Sequence, residues 1–241
     1  MNLILLQPDD FRDDGLAVLS DGRARHIRKV LKAEPGKTLR IGLLNGPLGT
    51  GTVLAIDKHE VCLQCVVEEK SPPKPRIDLL LAMPRPKVMK RLWAQLAALG
   101  VGRIVLVNAD KVERYYFDTH VLEPDFYNAR LIEGLQQARC THLPEVLVRH
   151  RFKPFVEDEL DGMFSGHLKL LADPAGEKRI ADFDLDDARV LLAIGPEGGW
   201  TPYELDKLSE HDFRLFSMGG RILRTDTACV AMVSLIGQMV G

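Results

Sequence analysis

The chain has 241 residues, 46% of them hydrophobic and 27% charged. That is enough to bury a core without disulfide staples, and it excludes both a disordered tail and a bundle of membrane spans, since no apolar run is long enough to cross a bilayer. The formal net charge of −2 excludes a globally basic nucleic-acid binder, so any basic surface must be local.

In chain order, Met1–Asp10 comes first. It lacks a basic flank and breaks at Pro8, so it reads as a first strand rather than a signal peptide, and a cytoplasmic location is expected. Arg23 to Lys32 reads as a basic amphipathic helix. Arg23, Arg25, His26, Arg28, Lys29 and Lys32 stand against Ile27, Val30 and Leu31. Strands are expected at Leu39–Leu44, Gly51–Ile56 and Val61–Val67, separated by Asn45-Gly46-Pro47 and Asp57-Lys58-His59. Residues 1–70 thus form a β-rich module, with a small barrel as the expected closure. Cys62 and Cys65 have the spacing of a metal or redox pair, but three apart on a strand they point to opposite faces, so a structural role is expected. Residues 71–75, Ser-Pro-Pro-Lys-Pro, are a stiff linker to a second domain over 76–241.

Strands and helices then alternate. Ile77–Met83 is a continuous apolar run, as in a buried parallel strand. Lys87–Leu99 places Val88, Leu92, Leu96 and Leu99 on one helical face, with Gly100 as its C-cap. Arg103–Val107 is a strand and Phe126–Arg139 a helix with Ile132 and Leu135 inward. His167–Leu171, Val190–Ile194 and Phe213–Phe216 are strands; Tyr203–His211 and Thr227–Val240 are helices. This alternation predicts an α/β domain with a parallel sheet covered on both faces. Ligands of such sheets bind beyond the carboxyl ends of the strands.

Two segments sit at such ends. Ile194-Gly-Pro-Glu-Gly-Gly-Trp200 runs into Thr201-Pro-Tyr-Glu204, a capping box with proline at the first helical position. Met218-Gly-Gly-Arg-Ile-Leu-Arg-Thr-Asp-Thr-Ala228 runs into the last helix, with Thr225 or Asp226 as the expected cap. One glycine loop is as easily a tight turn. Two matched loops favour a pocket lined by backbone groups. Arg221 and Arg224 beside a helix start suit a phosphate or developing negative charge, although a surface Arg–Asp pair would need the same residues.

Commoner signatures are missing. No Gly-x-Gly-x-x-Gly follows a strand, and Gly36-Lys37-Thr38 lacks the upstream glycine of a phosphate loop, with Leu31 there instead. There is no Gly-x-Ser-x-Gly elbow. The seven histidines lack zinc spacing, so no metal is expected, and His167 reads as structural. Lys74, Arg76, Arg85, Lys87, Lys90 and Arg91 form a second basic run, whereas Glu157–Glu159 and Asp182–Asp187 are acidic. Basic runs on both sides of a linker are consistent with an RNA backbone as well as with ordinary solvated faces.

The two C-terminal motifs, Ile194–Trp200 and Gly220–Ala228, closely resemble the signature of the bacterial 16S ribosomal RNA (uracil-N3) methyltransferase family of the SPOUT superfamily. The N-terminal module is similar to that family's PUA-like RNA-binding barrel, and His26-Ile-Arg-Lys-Val-Leu-Lys32 to its basic motif. The resemblance implies a deep trefoil knot, a homodimer, and S-adenosylmethionine bound by Leu171, Ala172 and Asp173, by Ile194, Gly195, Pro196, Glu197, Gly198 and Gly199, and by Met218, Gly219, Gly220, Ile222, Leu223 and Thr225. The implied acceptor is a uridine of ribosomal RNA or the small ribosomal subunit, held by Arg23, Arg25, His26, Arg28, Lys32, Arg85 and Lys87. Uracil N3 is a weak nucleophile until its proton leaves. Arg224 is therefore the candidate for stabilising charge on the uracil oxygens, and Glu197 or Asp226 for accepting the proton.

The chain departs from the family in two places. Ala94-Gln-Leu-Ala-Ala-Leu-Gly-Val101 lacks a lysine and a glutamate, so Gln95 and Ala98 stand out. Gln136-Gln-Ala-Arg-Cys140 replaces a Glu-Gln-Ser-Gly-Arg run. Methylation of another RNA nucleotide, and a non-catalytic RNA-binding assembly factor, are the alternatives these departures leave open.

Overall fold

The computed structural model describes residues 3–12 and 15–240. They form two compact units. The first comprises the described residues of Met1–Lys74 together with Leu135–Leu143; the second comprises Pro75–Gly134 and the described part of Pro144–Gly241. The chain passes from the first unit to the second between Lys74 and Pro75 and returns to the first over Leu135–Leu143. No local signal marks that return, because contacts set it. Leu3 N–H donates to the Gln136 carbonyl at 3.0 Å, Thr141 Oγ1 to the Gly46 carbonyl at 2.7 Å, and Leu143 N–H to Asn45 Oδ1 at 2.9 Å.

In the first unit, β1 (Ile4–Leu6), β2 (Leu16–Leu19), β3 (Thr38–Leu43), β4 (Leu48–Ile56) and β5 (Val61–Val67) form one mixed sheet in the order β1-β3-β4-β5-β2. Helix α1 (Gly22–Lys29) is capped by Asp21, which accepts from Arg23 N–H at 2.8 Å. It stops three residues before the expected Lys32, which is left-handed at φ 45°. Leu6, Leu19, Ile27, Ile41 and Leu63 make the core. The period-2 pattern of β5 buries Cys65 and leaves Cys62 half-buried. Burial pushes the Cys65 thiol up to about 11, away from a reactive thiolate.

The second unit is a six-stranded parallel sheet, β11-β9-β10-β6-β7-β8. Its strands are β6 (Ile77–Ala82), β7 (Val101–Val107), β8 (Glu145–Arg149), β9 (Leu168–Ala172), β10 (Val190–Ile194) and β11 (Arg214–Phe216). Every residue of β6 and β10 is buried, as a sheet covered on both faces requires. Helix α2 (Pro86–Ala98) turns Met89, Leu92, Trp93 and Leu96 to the core at helical spacing. Helix α3 (Pro124–Ala138) buries Leu131 and Leu135 and leaves Ile132 half-buried. The short helices α4 (Phe152–Pro154) and α5 (Leu160–Met163) are joined by a π-helical turn at Phe155–Glu159. Helices α6 (Pro202–Glu210) and α7 (Thr225–Met239) complete the unit. Among the described residues no helix is long and apolar enough to cross a membrane.

Register aligns the strand ends that matter. Ile194 pairs with Ala172, Phe216 with Ala172, Ile194 with Leu81 and Ala82 with Val107. The loops after β9, β10, β11, β6 and β7 therefore leave the same edge of the sheet.

Candidate functional site

The loops after β9, β10 and β11 line an open pocket with a cavity volume of about 110 Å³. Ala172, Asp173 and Pro174 come from the first loop, Ile194–Glu197, Gly199 and Trp200 from the second, and Ser217–Gly219, Arg221–Leu223 and Thr225 from the third. Ala228 and Met232 of α7 close the floor. The structure thus brings together most of the residues expected at the pocket. Leu171, Gly198 and Gly220 are not on its wall. Leu171 is fully buried behind it, while Gly198 and Gly220 are exposed beside it. Pro174, Trp200, Ser217, Ala228 and Met232 join the wall from outside the expected set; all five are small or apolar and look like ordinary core or turn residues in sequence.

The second loop is firmly anchored. The Thr201 side chain accepts from Glu204 N–H at 3.3 Å, and Glu204 Oε2 accepts from Thr201 N–H at 2.8 Å, completing the capping box. Glu204 is 2% exposed, and its other oxygen accepts from Asp110 N–H at 2.8 Å. Lys111 Nζ donates to the Gly198 carbonyl at 2.8 Å, and Arg85 Nε meets Glu197 Oε2 at 2.9 Å. Gly199 is left-handed at φ 69°, a conformation that costs other residues roughly 1 kcal/mol or more. A Cβ on Gly195 would come within 3.0 Å of the Trp200 indole. Among the described residues the third loop has no side-chain anchors of this kind; it is tied where it begins, by Ser217 N–H donating to the Lys178 carbonyl at 2.8 Å. Gly219 is left-handed at φ 98°, and Ile222 is 87% exposed.

Helix α7 begins differently from expectation. Arg224 occupies the N-cap with no side-chain cap, because Thr225 is already helical and buried against the pocket. Arg224 is exposed and makes no ion pair among the described residues. Asp226 does not line the pocket: its carboxylate meets Arg91 at 3.2 Å and accepts from Thr227 N–H at 2.9 Å. Of the two expected proton acceptors, Glu197 is therefore the one at the pocket.

The expected basic residues divide as well. Arg23 is tied inward to Asp10 at 2.6 Å, to Asp21 and to the Leu5 carbonyl. Arg28 is bound to the carbonyls of Asp57 and Lys58. His26 is half-buried with Nε2 lacking a partner among the described residues. Arg25 and Lys32 are exposed in the first unit, and Arg85 and Lys87 in the second. His167 is structural: its Nε2 meets Asp78 at 2.9 Å at the opposite edge of the sheet.

A parallel sheet with a pocket of backbone loops at its carboxyl edge defines an α/β domain with a ligand-binding site of its own. The profile of the RNA methyltransferase domain matches residues 70–237. The chain is 32% identical over 249 residues to ribosomal RNA small subunit methyltransferase E of Treponema pallidum, covering 98% of this chain and 90% of that protein. It is 27% identical to ribosomal RNA small subunit methyltransferase E 1 of Borreliella burgdorferi, covering 96% and 95%. A ribosomal RNA small subunit methyltransferase E of Neisseria gonorrhoeae, solved bound to S-adenosyl methionine, superimposes with a TM-score of 0.81 at 22% identity, over 99% and 98% of the two chains. The chain belongs to this family of RNA methyltransferases.

Proposed function

We propose that the protein transfers the methyl group of S-adenosylmethionine to N3 of a uridine in the 16S RNA of the small ribosomal subunit. The observation that carries this reading is the three-loop pocket, in a chain of the RNA methyltransferase family. The residues present fit the cofactor. Ile194, Leu223, Ala228 and Met232 offer apolar faces for a purine, and the glycines of two loops let backbone groups approach polar atoms. The Trp200 Nε1 is buried without a partner among the described residues, a donor in the pocket wall whose need a ligand acceptor would meet. When bound, S-adenosylmethionine supplies a methyl group activated by its sulfonium.

The chain's own groups supply the rest. Glu197, on the pocket wall, would accept the proton from N3 and release it to solvent afterwards. Arg224 offers its guanidinium to the uracil oxygens, where the negative charge of the deprotonated base gathers. Asp226, held by Arg91, links α7 to α2 and positions Arg224.

The same reading makes the N-terminal unit a PUA-like RNA-binding barrel. Its mixed sheet and the exposed Arg25 and Lys32 support this. It makes the C-terminal unit a trefoil knot. The loop after β9 lies across β11: a Cβ on Gly176 would come within 2.5 Å of the Phe216 backbone, and Ser217 N–H donates to the Lys178 carbonyl at 2.8 Å. The working form is a cytoplasmic homodimer, for which exposed Ile222 and Leu235 provide apolar surface.

Calorimetry with S-adenosylmethionine and mass spectrometry of small-subunit RNA from a strain lacking the gene test the reading. Cofactor binding and loss of 3-methyluridine are expected. No binding would overturn it, and persistence of 3-methyluridine while another mark vanishes would move the acceptor to a different nucleotide.

A further inference from the structure

The segment after β7 is fastened to the pocket. Besides Lys111, which binds the Gly198 carbonyl, it is connected through Arg85. That guanidinium meets Glu197 at 2.9 Å and has the Tyr116 side chain as a polar neighbour. The Tyr116 ring in turn meets the Tyr115 ring edge-to-face, with centroids 4.8 Å apart at 88°. Such a pair uses an edge of one ring and a face of the other, so each ring keeps at least one face uncovered by its neighbour. Tyr115 is 65% exposed. An exposed aromatic ring thus packs on Tyr116, the neighbour of the arginine that meets the glutamate on the pocket wall.

We propose that Tyr115 is the stacking platform for the acceptor base, with Arg85 presented to the base's oxygens. This rests on the methyltransferase reading and deepens it. An enzyme acting on a ring atom must take the base out of its stack, and the lost stacking is replaced on the protein by an aromatic side chain. Arg85 is well exposed, so its pair with Glu197 opens at little cost. An incoming carbonyl oxygen can then share the guanidinium while Glu197 is freed toward N3–H. The stack is sequence-tolerant, and the arginine favours a base with carbonyl acceptors flanking the reacting nitrogen.

The test is the KM for small ribosomal subunits from a strain lacking the gene, measured by tritiated methyl transfer for Tyr115→Ala, Tyr115→Leu and Tyr115→Phe. Calorimetry with S-adenosylmethionine and light scattering accompany each variant. Alanine and leucine should raise KM on the order of 10–100-fold, with cofactor affinity within about twofold and an unchanged oligomeric state; phenylalanine should restore most of the loss. An unchanged KM in Tyr115→Ala would overturn the platform, as would equal damage by phenylalanine or a change of oligomeric state, which would make the ring a subunit contact. A wild-type protein that neither binds S-adenosylmethionine nor methylates subunits would instead overturn the function on which the platform rests.

Discussion

The two edges of the six-stranded sheet carry similar residue types in opposite states. Where the strands begin, Asp78 of β6 is fully buried between His167 at 2.9 Å and Arg189 at 3.1 Å. Nearby Lys169 of β9, 8% exposed, is bonded to Asp161 and to the His211 carbonyl. There Asp78 and Lys169 each face partners, although His167 Nδ1 is buried without one among the described residues. Where the strands end, Arg221 and Arg224 are exposed without ion pairs among the described residues, and a buried indole N–H has no partner. A charged residue near a parallel sheet therefore says little by itself; the edge it occupies decides whether it closes the fold or waits for a ligand.

That contrast can be broken in graded steps. Glu197→Gln should lower kcat by about 10²–10⁴-fold while leaving the melting temperature nearly unchanged. Loss of stability with retained activity would place Glu197 among the structural charges. Asp78→Ala should do the reverse. Leaving His167 and Arg189 without their carboxylate should cost about 3 kcal/mol in urea unfolding, near the lower end for a broken buried pair because Arg189 is half exposed, with kcat per folded molecule retained. Arg224→Ala should reduce turnover by about 10²-fold with cofactor affinity intact in calorimetry; equal loss of both would make it a cofactor-loop residue.

The smallest effect concerns Asp161. Burial raises its pKa, but hydrogen bonds from Lys169 and His211 outweigh this and hold the carboxyl below its ordinary range. A depressed carboxyl stabilises the fold above its unfolded pKa of about 3.9, and that contribution fades as pH falls through the folded value. The side chain is 58% exposed, so screening keeps the contribution small. Asp161→Asn should be slightly less stable than the wild type at pH 7, and the two should converge in acid unfolding. A gap that widens toward low pH would contradict this assignment.

The carboxyl edge was the more legible of the two because its grammar is local. Strand, glycine loop, capping box and helix occupy consecutive positions, and Thr201–Glu204 forms the box that its spacing predicts. Features set by distant partners were not legible. The sequence reading did not include β2, which exists by pairing with β5. Nor did it include β8, an edge strand whose residues are at best half-buried. The helical stretch from Phe152 to Met163 was hidden by Pro154 and its run of acids. Arg23 and Arg28 read as part of a basic face, yet Asp10 and the carbonyls of Asp57 and Lys58 draw them in. Gln95 and Ala98, the departures in α2, are exposed. They therefore alter a surface rather than the pocket.

The pocket wall runs from Ala172 to Met232, all within the last third of the chain. A protein made from its N-terminus presents its early segments for folding first. The β-rich unit and the strands β6 to β8 thus leave the ribosome well before any cofactor site can exist. No chain that stops short of Met232 has the whole pocket wall, so cofactor binding reports that synthesis has passed the first two turns of α7, and a chain cut before Thr225 should be folded in part and catalytically blank.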